Sequence, residues 1–339
     1  MSIFAIDPDI RRAKTLSAEF YTDQKYFELS KERIFARCWH FLGSDDRADD
    51  LQPFTLLPGF LDEPILITTT VDGTRCLSNV CTHRGKILVE QACDANLIRC
   101  DYHGRRFSLD GRLLSMPEFE GVEDFPAESD NLFQLPVERR GGFRFTSPDP
   151  IAAFATFTGG TDLEFDTIDA GNLHLRSSRE YEVDAHWALY CENYLEGFHI
   201  PYVHQSLNAV VDYGSYSTEV FRYSSLQTAY DANASIAARY LFIFPNLMFN
   251  FYPWGVSVNV VRPVRPDKSV VEFYTYVGDE TQVETGAGAD LHLVEMEDEA
   301  VVESVQKGVR SRFYSQGRYS PMREQGTHHF HRLIAEFMG

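Results

Sequence analysis

The sequence has 339 residues, 44% of them hydrophobic, with 31 basic against 50 acidic side chains and a net charge of −19. That length suits one large domain or two ordinary ones with a sizeable core, and the excess of acid argues against a nucleic-acid backbone or an anionic membrane as partner. No apolar run approaches the roughly 20 residues that span a bilayer, and acids interrupt "MSIFAIDPDIRRAK" where a secretory signal is apolar, so a cytoplasmic protein without a membrane segment is expected.

Tyr26, Phe27, Ile34 and Phe35 recur at helical spacing between Thr22 and about Cys38, with Thr22 or Asp23 as cap. A β-rich stretch follows. "ILITTTV", Asp72-Gly73 and "TRCLSNV" predict one hairpin, and "RRFSL", Asp110-Gly111 and "RLL" a second. "GGFRF" ends this region near Phe145, and "TSPDP" marks a boundary. Beyond it the pattern predicts a helix near 185–199 and short strands from about 216 to 277, through "YLFIFPNLMFNFYPWGVSVNVVRPV". An exposed loop over 278–290 then leads to two helices, about Glu297–Gln316 and one entered through Ser320-Pro321.

Six cysteines in a long chain of this kind do not read as a disulfide framework. Cys38, Cys76, Cys93 and Cys191 have no partner at ligand spacing and read as core or incidental residues. Cys81 and His83 in "CTHRG", and Cys100 and His103 in "CDYHG", each follow a predicted strand, so two strand-end loops can clamp one metal centre. Two thiolates and two imidazoles suit zinc. They equally suit a Rieske [2Fe–2S] cluster, in which the cysteines hold one iron and the histidines the other. The alternation Cys-x-His then Cys-x-x-His matches the Rieske pattern better than common zinc spacings.

A second constellation lies in "CENYLEGFHIPYVH", residues 191–204. At 3.6 residues per turn Asn193, Glu196 and His199 share a stripe, whereas His204 falls about 140° round the axis. Pro201 lacks an N–H and its ring clashes with the preceding turn, so a break there turns His204 back toward His199. An isolated H-x4-H is more often an ordinary core or surface pair. A third candidate ligand alters that balance. In "EMEDEAVVESVQKGVRSRFY", Val301, Val302, Val305, Val309 and Phe313 recur at helical spacing, and Asp298 projects near the centre of their stripe with Glu297 and Glu299 to either side. A carboxylate aimed at a core is costly unless paired or metal-bound, and two histidines with one carboxylate form the facial triad of non-haem Fe(II) oxygen chemistry. The competing reading is an acid near a helix N-terminus interacting with the dipole.

Taken in this order, "CTHRG", "CDYHG", "ENYLEGFHIPYVH" and "EDEAVVESVQKG" resemble the catalytic α subunits of Rieske non-haem iron oxygenases, the aromatic ring-hydroxylating family, over most of the chain. The Asn-Tyr-x-Glu-x-x-His form is most similar to the branch of choline monooxygenase and the glycine betaine and carnitine oxygenases. The resemblance implies an α+β fold: an all-β Rieske domain over 38–147, and a helix-grip (START-like) catalytic domain with a central antiparallel sheet from 1–37 and 148–339. It implies that Cys81, His83, Cys100 and His103 hold the [2Fe–2S] cluster and that His199, His204 and Asp298 hold a mononuclear Fe(II). It makes Glu196 an acidic bridge from His103 of one chain to His199 of its neighbour in a head-to-tail homotrimer, with Asn193 as a supporting residue. The i, i+3 spacing of Glu196 and His199 agrees with that role.

Arg105 departs from the pattern, since many members carry Trp there, and the chain is shorter than many relatives. His328, His329 and His331 are expected to be structural or solvent-facing. The chain has neither a plant-type ferredoxin motif nor a dinucleotide fingerprint, so electrons are expected from a separate NAD(P)H-dependent reductase, directly or through a ferredoxin. The expected reaction is O2-dependent hydroxylation or oxidative N-dealkylation of a small organic molecule such as a quaternary amine. The alternatives are aromatic ring dihydroxylation, and electron transfer without oxygenase activity. Phe249, Phe251, Tyr252 and Trp254 are the aromatic faces expected near the pocket.

Overall fold

The computed structural model describes residues 4–45, 49–168, 171–283, 285–289 and 291–339. The chain forms two compact units, Trp39–Asp149 and Met1–Cys38 with Pro150–Gly339. Among the described residues no helix is long and apolar enough to cross a membrane. Two helices open the chain, α1 (Ala18–Thr22) and α2 (Gln24–Arg33). Asp23 caps α2 by accepting the Lys25 N–H at 2.8 Å. The helix stops short of the expected Cys38, and a tight turn over Phe35–Arg37 buries Ile34 and Phe35 instead.

The unit Trp39–Asp149 is built from antiparallel strands. They are β1 (His40–Ser44), β2 (Leu51–Leu56), β3 (Glu63–Thr70), β4 (Gly73–Ser78), β5 (Ile98–Arg99), β6 (Arg106–Phe107), β7 (Leu113–Ser115), β8 (Gln134–Leu135), β9 (Val137–Arg140) and β10 (Phe143–Thr146). They form three sheets, ordered β1-β10-β9, β2-β3-β4-β8 and β5-β6-β7. Both expected hairpins form, as β3–β4 and β6–β7. Successive residues of a strand point to opposite faces, and β3 uses this to feed two cores. Leu66 packs with Cys81 and Cys100 beneath the two Cys-His loops, while Ile65 and Ile67 pack with Cys76 on the other side.

The second unit continues with α3 (Phe154–Phe157), α4 (Asp162–Asp166), β11 (His174–Val183), α5 (Trp187–Tyr194), α6 (Ile200–Val203) and α7 (Gln205–Asn208). Six strands follow: β12 (Ser217–Val220), β13 (Ser224–Tyr230), β14 (Ile236–Ile243), β15 (Leu247–Tyr252), β16 (Gly255–Arg265) and β17 (Lys268–Val277). Two helices, α8 (Leu291–Val309) and α9 (Gln325–Met338), end the chain. The strands make one seven-stranded antiparallel sheet, β11-β17-β16-β15-β14-β13-β12, with α5 packed on β16 and on α8. The whole is the α+β arrangement with antiparallel sheets that the sequence indicates.

Several boundaries differ from expectation. The helix expected near 185–199 closes at Tyr194, and His199 caps the separate helix α6. Pro201 occupies the first turn of α6, where its missing N–H costs nothing and its ring keeps α5 from running through. Glu196 holds the turn between the two helices, its carboxylate accepting the backbone N–H groups of Phe198 and His199. Gly197 is required there, because a Cβ would sit 2.8 Å from the Tyr216 ring.

Helix α8 begins before Glu297 and ends before Gln316. Leu291 and Val294 extend its inner face upstream. Downstream, Ser315 and Gly317 carbonyls accept N–H groups of Ala18 and Thr15, and that tertiary pairing replaces the helix. Phe313 is therefore almost fully exposed and Val305 half-exposed, so the expected apolar stripe holds only in part. Pro321 lies in a turn ahead of α9, since Arg323 and Glu324 donate back to the Ser320 carbonyl. In the 278–290 loop Ala287 is buried rather than exposed, and Glu284 and Asp290 lie outside the described residues.

Candidate metal centres

The two cysteine-histidine loops have the same internal wiring. Cys81 N–H donates to the Lys86 carbonyl at 2.8 Å and Gly85 N–H returns to the Cys81 carbonyl at 2.9 Å. Cys100 N–H donates to the Arg105 carbonyl at 2.8 Å and Gly104 N–H returns to the Cys100 carbonyl at 3.0 Å. Gly85 and Gly104 have φ of +73° and +75°, a conformation that favours glycine. Both cysteines are buried, while His83 is half-buried and His103 exposed, with ring centroids 4.8 Å apart.

Burial raises the Cys81 thiol pKa, the backbone N–H groups of His83 and Arg84 aimed at its sulfur lower it, and the neighbouring Cys100 raises it again. Loss of solvent, then the charges of His103, Arg84 and Arg105, lower that of His83 and favour the neutral imidazole a metal needs. A tetrahedral zinc site would gather all four donors at one point. Here the thiols lie inside and the imidazoles outside, as pairs. Among the described residues, the group of three or more metal-binding side chains whose ligand atoms all lie within 4.8 Å is a different one, His199, His204 and Asp298. This paired donor set, with N–H groups turned to sulfur, fits a two-iron cluster.

Arg105, in place of the usual Trp, is 2% exposed. Its Nη2 donates to Asp130 Oδ1 at 2.6 Å, and its guanidinium lies over Phe107 and Phe125. Thr82, from the first loop, donates to the Asp130 carbonyl at 2.7 Å. Asp130 thus fastens both loops, so Arg105 changes internal packing and offers no exposed charge to an electron donor. Of the other cysteines, Cys38, Cys76 and Cys191 are buried and Cys93 is exposed.

In the second unit His199, His204 and Asp298 converge, carried by the cap of α6, the residue after it and α8. His204 Nε2 lies 3.0 Å and His199 Nε2 3.6 Å from Asp298 Oδ1. Two cis donors on a metal with bonds of roughly 2.1 Å are separated by about 3.0 Å, so the donor set fits one ion. Each histidine engages its other nitrogen elsewhere. His199 Nδ1 is 2.8 Å from Glu196 Oε1, and His204 Nδ1 is 2.7 Å from Glu297 Oε2. These pairings fix the tautomer that leaves Nε2 free for a metal. Burial lowers the His204 pKa, but the hydrogen bonds and charges of Asp298 and Glu297 outweigh it and leave the value raised.

Asn193 Nδ2 donates to Asp298 Oδ1 at 2.6 Å, so the three residues first expected on one stripe do meet at the site, although Glu196 and His199 are not in the helix of Asn193. Asp298 lies two turns inside α8, too far from its N-terminus for a dipole role. Sequence reasoning missed Glu297, which points aside on the helical wheel yet reaches His204. His328 and His331 are buried on α9, the latter between Tyr319 Oη at 2.6 Å and Glu192 Oε1 at 3.0 Å, a structural placement.

A cavity opens beside this triad, with an empty volume of about 720 Å³ that includes its open mouth. Its floor is a cross-strand row, Tyr240, Asn250 and Ser257, on adjacent strands of the sheet. Leu291, Val294, Glu295 and Asp298 form one stripe of α8 facing it, at i, i+3, i+4 and i+7. Tyr190 and Tyr194 approach from α5, and Tyr194 Oη donates to Asn250 Oδ1 at 2.8 Å.

Of the four aromatics expected here, only Tyr252 lines the cavity. Phe249 and Phe251 alternate to the opposite face and pack on Phe165, while Trp254 is buried and stacks on Tyr252 at 4.9 Å. The aromatic wall comes instead from Tyr190 and Tyr194 on α5, Tyr216 just ahead of β12 and Tyr240 on β14, scattered in sequence and brought together by the packing of helix on sheet.

A family model for the Rieske [2Fe-2S] domain matches residues 45–126, and one for the ring hydroxylating alpha subunit (catalytic domain) matches residues 219–339. Chloroplastic choline monooxygenase of Arabidopsis thaliana is 30% identical over 362 residues, covering 97% of this chain and 84% of the relative. The carnitine monooxygenase oxygenase subunit of Escherichia coli (strain K12) is 27% identical, covering 96% and 94%. The crystal structure of the quaternary ammonium Rieske monooxygenase CntA with L-carnitine matches with a TM-score of 0.80 at 27% identity, covering 98% of this chain and 97% of that one. Naphthalene 1,2-dioxygenase with bound indole matches with a TM-score of 0.74 at 19% identity, covering 96% and 92%, which speaks to the fold alone. With both centres matched to donor sets present in the chain, it belongs to the Rieske non-haem iron oxygenases, as a terminal oxygenase component that carries a [2Fe–2S] cluster and a mononuclear iron.

Proposed function

We propose that this oxygenase acts on a small organic cation of the quaternary ammonium kind, oxidising a carbon near the nitrogen. The observation that carries this reading is the cavity wall: five tyrosines, two carboxylates besides Asp298, and no lysine or arginine among the described lining residues. Aromatic faces attract a desolvated cation, and the acids add to that attraction. The choline and carnitine monooxygenases among its relatives act on such cations by name.

When bound, the cluster supplies electrons and the mononuclear iron supplies oxygen activation. Overall, one oxygen atom enters a C–H bond, the other leaves as water, and two electrons and two protons are consumed. In this reading Cys81, His83, Cys100 and His103 hold the cluster, in a domain spanning 38–147, and His199, His204 and Asp298 hold the iron in the domain formed by 1–37 and 148–339. Asn193 orients Asp298 through its amide. Glu196 holds His199 by Nδ1 and connects it to His103 of a neighbouring chain in a homotrimer. Electrons come from a separate NAD(P)H-dependent reductase, directly or through a ferredoxin, in the cytoplasm.

The experiment is product analysis with a generic reductase and O2 over choline, betaines, carnitine and simple arenes. An aldehyde or a demethylated amine from a cation supports the reading. A cis-diol from an arene, with all cations inert, rejects it.

A further inference from the structure

Several acids lie at or beside the cavity, and all but one are committed. Asp298 is shared by His204, His199 and Asn193. Glu196 is held by His199 Nδ1 and two backbone N–H groups, and Glu297 by His204 Nδ1. Glu295 remains. It lines the cavity, is 3% exposed, and accepts from Tyr190 Oη at 2.6 Å through Oε2. Its other oxygen, Oε1, is buried and meets no donor from a backbone N–H or a neutral side chain among the described residues, its neighbour being the carboxyl of Glu299.

The titratable groups facing Glu295 are Tyr190 on α5 and Asp298 and Glu299 on its own helix, and none is a cation. Burial raises its pKa well above the usual carboxylate range, Tyr190 pulls it down, and the two neighbouring acids raise it further. A buried acid with an open acceptor and no counter-ion is costly to keep for packing alone. An isolated carboxylate in a low-dielectric cavity attracts a positive ligand far more strongly than the same group in water.

We propose that Glu295 is the counter-charge for the cationic nitrogen of the substrate. The inference rests on the cationic substrate class proposed above. It assigns charge recognition to one residue that neither holds the iron nor lies on the expected electron route.

The test is calorimetric titration of the iron-loaded protein under argon near neutral pH, with choline and with its uncharged tert-butyl isostere. The wild type should bind choline at least about tenfold more tightly than the isostere. Glu295→Gln keeps an oxygen for Tyr190. It should hold the isostere as before and narrow the preference to about threefold or less. A preference that survives in Glu295→Gln overturns the assignment. If Glu295→Gln loses its iron, Glu295→Asp takes its place: selective weakening of choline supports the assignment, and unaltered choline binding overturns it. A wild type that binds the isostere as tightly as choline removes the cationic-substrate reading itself.

Discussion

His204 and Glu297 are 93 positions apart in sequence, yet Nδ1 of the first lies 2.7 Å from Oε2 of the second. The carboxylate belongs to the residue immediately before Asp298, so one turn of α8 both faces His204 Nε2 with Asp298 and orients its ring with Glu297. Outer partners of this kind typically contribute a factor of 10 to 100 in metal affinity. Glu297→Ala should therefore weaken Fe(II) binding by roughly 10- to 100-fold without altering the visible absorption of the cluster. Titration of Fe(II) into iron-stripped protein measures this, and an unchanged affinity would show that the pair is incidental.

His199→Ala removes one proposed ligand and leaves the cysteine-histidine loops untouched. Metal analysis should show loss of the mononuclear iron with the Rieske spectrum intact. Loss of both signals together would mean that the two centres have been wrongly separated.

Glu196→Gln is a sharper probe of electron transfer than Glu196→Ala, because the amide oxygen can still accept the Phe198 and His199 N–H groups of the turn before α6. With Fe(II) in excess to offset the lost acceptor at His199 Nδ1, both metals should be held, while single-turnover oxidation of the prereduced cluster slows at least about tenfold, roughly 1.4 kcal/mol of barrier. A rate equal to wild type removes Glu196 from the electron route.

Arg105→Leu leaves Asp130 without its guanidinium partner. Breaking a fully buried pair costs about 3–5 kcal/mol, and Asp130 is partly exposed, so about 2 kcal/mol is expected here. The urea midpoint for cluster bleaching should fall accordingly, and an unshifted midpoint would show that Thr82 and the Ala127 N–H secure Asp130 without the guanidinium.

Acid should weaken the second unit through His186. Phe20, Tyr21, Phe27 and Trp187 surround its ring, and burial lowers its pKa to about 3. The unfolded chain takes up that proton near pH 6.5, whereas the folded one does so only near 3. The stabilising contribution is therefore complete above about pH 6.5 and declines below it, by up to about 1.4 kcal/mol per pH unit. His186→Asn keeps an acceptor for the Ala188 N–H at the start of α5, and should flatten the fall of Tm on acidification. Parallel Tm curves for the two proteins would place the acid sensitivity elsewhere.

The two Cys-His loops are legible in the sequence because each is local: the candidate ligands, the glycine that lets the loop turn and the strand that precedes it lie within a few residues. The triad was legible by chemistry more than by geometry. Its candidate ligand types stand out, and Pro201 shows that the helix must break, but not that Glu196 holds the turn that follows. That turn depends on a side chain accepting from the backbone ahead of it, which helical periodicity does not register. The tyrosine wall was not legible at all. Tyr190 lies on α5, Tyr216 ahead of β12 and Tyr240 on β14, and only the packing of helix on sheet shows that they share one wall. Glu297 escaped for a related reason, since its target lies on a distant segment whose path the sequence does not display.

The pleat of β15 separates two kinds of selection. Asn250 and Tyr252 look into the cavity, while Phe249 and Phe251 anchor the sheet against Phe165. Substitutions on the first pair can retune which molecules are accepted while the fold is left standing, and those on the second test the fold while leaving the chemistry alone. A new substrate range is therefore reachable through alternate positions of one strand, with the positions between them held constant.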